Sequence, residues 1–288
     1  MNFLAYIAVV IFLIVAYFLG VAIRMLFTNK DEDPYFSTFK NLFVGMLLIV
    51  FGVAVVQTRG KTILWGFLLV TIFYLLLERP KIHIPTVSIK NLYPLLVMLV
   101  ITLACYMLQG MFFYDTPYSK IAQGDFYSYA EVIDYMWNTH VETSTFWSIL
   151  TQDPTLNVAG PFHYPELWLA SIFYGLFGFG VIESQVIISH VIMVTILAMG
   201  MIALVRSITK DIWMFAFGIV SVFLGGVVLV NILPQAIDFV FFCGCSPKFA
   251  MLSILYVWST ILMLKHDDRF FYPLLLLPIP EADRFLLT

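Results

Sequence analysis

Charge is what this sequence has least of. Asp, Glu, Lys and Arg make up 11% of its 288 residues, while 61% are hydrophobic. Soluble domains average about 25% charged and 45–50% apolar residues, so an ordinary soluble domain is excluded and a polytopic membrane protein is implied. The net charge is −3 and there is no basic run, which argues against nucleic acid as a partner. Three cysteines supply no disulfide framework. Cys105 lies in an apolar run, and Cys243 and Cys245 form a C-x-C spacing too short for an easy bridge, so all three read as small apolar packers. No low-complexity tract and no internal repeat stand out. Lys and Arg are also missing before Arg24, while the chain is apolar from Phe3 to Phe27. A cleavable signal peptide has a basic start and a shorter apolar core, so a retained first span is expected.

What is abundant is long apolar sequence. A bilayer core of about 30 Å needs roughly 20 apolar residues per helix. The runs 3–27, 40–57, 62–77, 92–112, 166–180, 185–205, 213–232 and 249–264 qualify as candidate spans, with a ninth, 270–277, broken by Pro278 and Pro280. The expected fold is an all-α polytopic transmembrane bundle of about eight or nine spans, a single transmembrane domain over 1–288. Within it, 1–91 reads as a three-span N-terminal extension. Residues 113–165 read as an extracytoplasmic acidic and aromatic loop carrying short amphipathic helices, and 166–288 as further spans incomplete at the C-terminus. Arg24, Lys30 and Lys40 follow the first span and Arg79, Lys81 and Lys90 the third, so those loops are expected on the cytoplasmic side. The fourth span then delivers the loop to the outside. Beyond it the count divides: if 166–180 crosses, Arg206 and Lys210 fall outside; if it is re-entrant, they fall inside.

One stretch interrupts the apolar pattern. Tyr114 to Trp168 holds seven of the eighteen acids, one of the fifteen bases (Lys120) and three of the six tryptophans. Loops longer than about 12–15 residues are usually functional or disordered, and this one is too aromatic for disorder. Within it, DFYSYAEVIDYMWN (125–138) has apolar residues at Phe126, Ala130, Ile133 and Trp137. That helical spacing predicts an amphipathic helix lying on the outer leaflet, with Glu131 and Asp134 as a solvated face. Asp125, after Gly124, reads either as the helix N-cap or as a chemical group facing the end of the fourth span. Pro165 and Glu166 suit the first turn of the next helix. His163 and Glu166, beside Tyr164 and Trp168, are expected at the water–lipid boundary, where aromatics form a belt. With Asp125 and Glu142 in the same loop, they suggest metal or phosphate handling.

These residues carry a resemblance. GDFYSYAEVIDYM, a loop, and FHYPELWLASIFYGLFG resemble the first outer loop and second core helix of C-type (GT-C) glycosyltransferases. These are polytopic enzymes that take sugar from a polyprenyl-phosphate carrier, and the protein mannosyltransferases and aminoarabinose transferases are among them. The resemblance covers roughly 92–206 and implies that 166–180 crosses the membrane. It implies Asp125 as general base toward an acceptor hydroxyl, and substrate-binding roles for Tyr129, Glu142, His163, Tyr164, Glu166 and Trp168. It further implies a polyprenyl-phosphate sugar donor, a glycan, lipid or protein acceptor, and a place in the bacterial inner membrane with the loop extracytoplasmic. Where the aminoarabinose-transferase pattern has Lys, this chain has His163. Either His163 hydrogen-bonds the leaving phosphate or a divalent metal held by Asp125 and Glu166 meets it. The three extra N-terminal spans depart from the minimal pattern. Two other readings stand beside this one. A multi-pass transporter would use mid-span ionisable residues such as His190 or Asp238. A non-catalytic subunit of envelope polysaccharide assembly would bind glycan through the loop's aromatics.

Overall fold

The computed structural model describes residues 2–27, 33–78, 89–115, 125–140, 164–211 and 247–265, with Asp267 and parts of a helix between 213 and 222. All regular structure among them is helical: α1 (Phe3–Phe27), α2 (Pro34–Arg59), α3 (Thr62–Glu78), α4 (Ile89–Asp115), α5 (Asp125–Thr139), α6 (Tyr164–Phe177), a π-helical segment (Glu183–Ser189), α7 (His190–Ile208) and α8 (Pro247–Leu264). Local chemistry accounts for several ends. Asp33 caps α2, its carboxylate accepting from the Tyr35 and Phe36 backbone N–H groups, and Pro34 follows at the first helical position. Gly60, at φ 80°, closes the same helix.

Among the described residues, four helices are long and apolar enough to cross a membrane: Phe3–Met25, Pro34–Arg59, Leu92–Met111 and the joined π–α7 rod Glu183–Ile208. They differ in position. The apolar window of the π–α7 rod is 94% buried, against 39% for α1 and α4, so the rod is the axis around which the others pack. α1 and α4 turn apolar stripes outward, Leu4, Ile7, Ile11 and Val15 on one and Leu92, Leu96, Val100 and Leu103 on the other. An exposed stripe at three- and four-residue spacing is what a lipid-facing helix needs. The long apolar helices are those of a membrane-embedded protein.

Of the other expected spans, α3 lies at the periphery with Trp65, Leu69, Val70 and Phe73 exposed. α8 contributes the shorter apolar helix Phe249–Leu264. The run 213–232 is described only in part, and 270–277 and Asp238, like Cys243 and Cys245, fall outside the described residues. The N-terminal helices are not peripheral: side chains of α1 and α2 belong to the same buried cluster as those of α4, α6, α7 and α8. α1 and α2 meet so closely that a Cβ on Gly45 would stand 1.7 Å from the Ala16 carbonyl oxygen. Only glycine permits that approach.

The two ends of the bundle are chemically distinct. At one end Arg206, in the last turn of α7, pairs with Asp33 at 3.2 Å, and its guanidinium lies 4.9 Å from the Tyr35 ring centre. Lys265, after α8, sits 3.9 Å over the Phe36 ring, and Arg24 donates to Ser37. At the other end the Tyr106 hydroxyl donates to the Asn2 carbonyl at 2.6 Å, and Gln109 Nε2 donates to the Val186 carbonyl at 3.0 Å.

The last turns of α4 and the first turn of the π segment share one end of the bundle. α6, with 14 residues, is about 21 Å long at 1.5 Å per residue, short of a roughly 30 Å apolar core.

Candidate functional site

α5 is seated on α6 and the π segment at the end opposite Arg206. Its apolar positions explain the seat: Phe126, Ala130, Val132, Ile133 and Met136 are all buried. Phe126 packs with Val186, and Phe113 at the end of α4 and Ile182 close over the pair. The sequence predicts this helix closely, but its surroundings differ from the expectation. The apolar face is covered by protein, because α6 and the π segment offer a complementary apolar surface where a lipid face is expected. Trp137 fits against α6 at Gly175, where a Cβ would come within 1.8 Å of the indole Cε2. Glycine there is what lets the two helices touch.

Asp134 is likewise not simply solvated. Its Oδ1 accepts from the Tyr174 hydroxyl of α6 and from Asn138 Nδ2 at 2.9 Å. The hydrogen bond to this carboxylate, then burial, raises the Tyr174 phenol above its ordinary value of 10, because a second negative charge beside Asp134 is disfavoured. After α5 the backbone turns at His140, which takes φ 60° and donates its N–H to the Met136 carbonyl at 3.1 Å.

Beside α5 lies an open groove of about 570 Å³ whose lining includes Tyr127, Glu131, Asp134, Tyr135, Asn138 and Ile182. The volume falls within the ~300–1,000 Å³ of small-molecule sites. Two carboxylates, two phenols and an amide stand over an aliphatic floor, and no Lys, Arg or His is among its described lining residues. Of this set, Glu131 and Asp134 are expected from the sequence only as a solvated face; the signal for the rest is that Tyr127, Glu131, Asp134, Tyr135 and Asn138 recur at helical spacing.

The predicted site residues are distributed as follows. Asp125 is the first residue of α5, adjoining Phe126 at the junction of α4, α5 and the π segment; its side chain lies outside the described residues. Glu142 and His163 lie outside them altogether. Tyr164 begins α6, its side chain likewise outside the description. Tyr129 packs, half-buried, against the main core and does not line the groove. Glu166 is 6% exposed in the first turn of α6, where the helix dipole favours a carboxylate. Trp168, expected in an interfacial belt, is fully buried in the main core. The reason is that α6 is wrapped by α2, α5, α8 and the π segment, leaving that turn no lipid to face. Among the described residues no group of three or more His, Cys, Asp or Glu side chains stands together to hold a metal.

The chain matches no protein-family model, no curated protein and no solved structure.

Proposed function

We propose that this chain is a membrane glycosyltransferase moving a sugar from a polyprenyl-phosphate donor to an envelope acceptor, with Asp125 as general base. One observation carries the reading. The acidic, aromatic helix α5, opening on Asp125, is seated with an open groove on one end of an otherwise apolar bundle. The resemblance to GT-C enzymes adds Asp125 and Tyr129 on α5 and Tyr164 and Glu166 at the start of α6. The end that gathers Arg24, Lys40, Arg206 and Lys265 is the cytoplasmic one by the positive-inside rule. α5 then faces outward from the bacterial inner membrane. In this reading α6 enters the bundle without crossing it, a further departure from the GT-C pattern, and Arg206 and Lys210 need no exception to the rule.

The chemistry asked of Asp125 is proton removal. Its carboxylate, within about 3 Å of the acceptor hydroxyl, takes the proton as the hydroxyl oxygen bonds to the anomeric carbon. The bond from that carbon to the phosphate oxygen breaks, and the lipid phosphate leaves with the electron pair. His163 supplies a hydrogen bond to that phosphate.

A second reading is favoured by a specific observation. The π segment and α7 bury Ser184, Gln185, Ser189, His190 and Thr195, and π-helical turns concentrate at functional sites. A transporter would keep its polar groups along such an axis.

The experiment is transfer in membranes from a panel of radiolabelled polyprenyl-phosphate sugars, with wild type and Asp125→Asn at equal abundance. Loss of a general base lowers turnover about a hundredfold or more. Transfer that survives in Asp125→Asn removes the base from Asp125. Absence of transfer from every donor, with uptake that depends on His190, favours transport.

A further inference from the structure

We infer that the groove along α5 is a saccharide subsite for the acceptor, selective for neutral or amino sugars and closed to the phosphate-bearing donor. This deepens the glycosyl-transfer reading and rests on it for the word acceptor, while the saccharide specificity stands on the groove alone.

The argument starts from the lining. Tyr127 is 46% exposed at the groove, and an exposed phenol face covers the C–H face of a pyranose as it covers any flat apolar surface. Tyr135 lies two helical turns further along the same side. Glu131 stands between them, and a carboxylate accepts from two vicinal hydroxyls at once. Asp134 is already oriented by the Tyr174 hydroxyl and by Asn138, so little ordering remains to be done when a ligand arrives. The volume of about 570 Å³ holds about one or two pyranose rings.

Charge then chooses among sugars. Glu131 and Asp134 both line the groove, and no cationic side chain does among its described lining. A phosphate or uronate there meets two like charges in a partly apolar setting, which disfavours it. A hydroxyl or ammonium donates to the same carboxylates. The donor's phosphate therefore has to be met outside the groove, which is left for the acceptor.

The test is saturation-transfer NMR on the full chain in lipid nanodiscs. The probes are methyl α-glucopyranoside, glucosamine and glucose 1-phosphate, with wild type, Tyr127→Ala and Glu131→Gln compared at matched helical content. The first two probes bind wild type; binding weakens about tenfold in Tyr127→Ala and Glu131→Gln, the factor for a lost charge-assisted hydrogen bond or stacking face. Glucose 1-phosphate shows no transfer of saturation. The inference is overturned by equal binding in wild type and both groove variants, by glucose 1-phosphate binding as well as the glycoside, or by no binding of any probe. Glycoside binding without glycosyl transfer from any donor would sink the enzymatic reading and leave the saccharide site standing. Transfer that persists with an unchanged acceptor KM in Tyr127→Ala would do the opposite.

Discussion

Single residues decide how α5 is held. The Tyr174 hydroxyl and Asn138 amide both serve Asp134; Asn138 lies four residues on in the same helix, whereas Tyr174 lies 40 positions away on α6. A hydrogen bond to a charged acceptor is worth about 1.5–3 kcal/mol when buried, and about 1 kcal/mol at a half-exposed site. Tyr174→Phe is therefore expected to lower the stability of the α5 seat by about that amount, read as faster hydrogen exchange in 125–139 with the rest of the bundle unchanged. The pH dependence has a definite sign. The folded Tyr174 value is raised above 10, so the contribution is fully present below pH 10 and is lost as pH rises through the folded value. Alkaline titration should release α5 in wild type and show no such step in Tyr174→Phe. Trp168 illustrates why residue roles were harder to read than residue types. An aromatic at the start of an apolar run is equally consistent with a belt or a core, and only the helices packed around it place it in the core.

Elements carry the close approaches. α5 can sit on α6 only because position 175 has no side chain. Gly175→Ala puts a methyl into the Trp137 ring, an overpacking that costs about 1–3 kcal/mol. The expected outcome is protease cleavage within 125–140 at rates well above wild type, with α1, α2 and α7 still protected. Cleavage equal to wild type would show that the two helices tolerate separation. The helix itself was legible beforehand, since Phe126, Ala130, Ile133 and Trp137 recur at helical spacing. Its partner was not, because lipid and an apolar helix surface make the same demand on an apolar face. The π-helical segment was invisible in the sequence. ESQVIIS has no composition that separates it from α-helix; Ser189 donating to the Ser184 carbonyl five residues back and Gln109 reaching in from α4 to Val186 are what accompany the wider turn.

At the scale of the whole molecule, the ion pair between Arg206 and Asp33 bears on the sidedness of the bundle. It ties the loop after α1 to the end of α7, so both lie at one end of the bundle. Cysteines introduced singly at Lys210 and Lys265 in a cysteine-free background should label from the same side of sealed membranes as each other, and a cysteine at Thr139 from the opposite side. Labelling of position 210 from the side that labels 139 would restore a crossing by α6 and remove the arrangement described above.

Composition alone decided that this chain belongs in a membrane, and the length of its apolar runs decided where most of its helices run, with helical spacing adding α5. Both follow from local rules: too little charge for water, and apolar stretches of bilayer length. The tertiary structure decided what the helices face. It made the π–α7 rod the buried axis, brought α1 and α2 into the core, turned the expected lipid face of α5 onto α6, and put Tyr127, Glu131 and Asp134 along one groove. The reason is that an apolar face does not record its partner in its own sequence; burial against lipid and against protein reward the same side chains. Only where glycine allows contact, as at Gly45 and Gly175, or where a polar group finds its match, as at Asp33 and Asp134, does the choice between them become fixed.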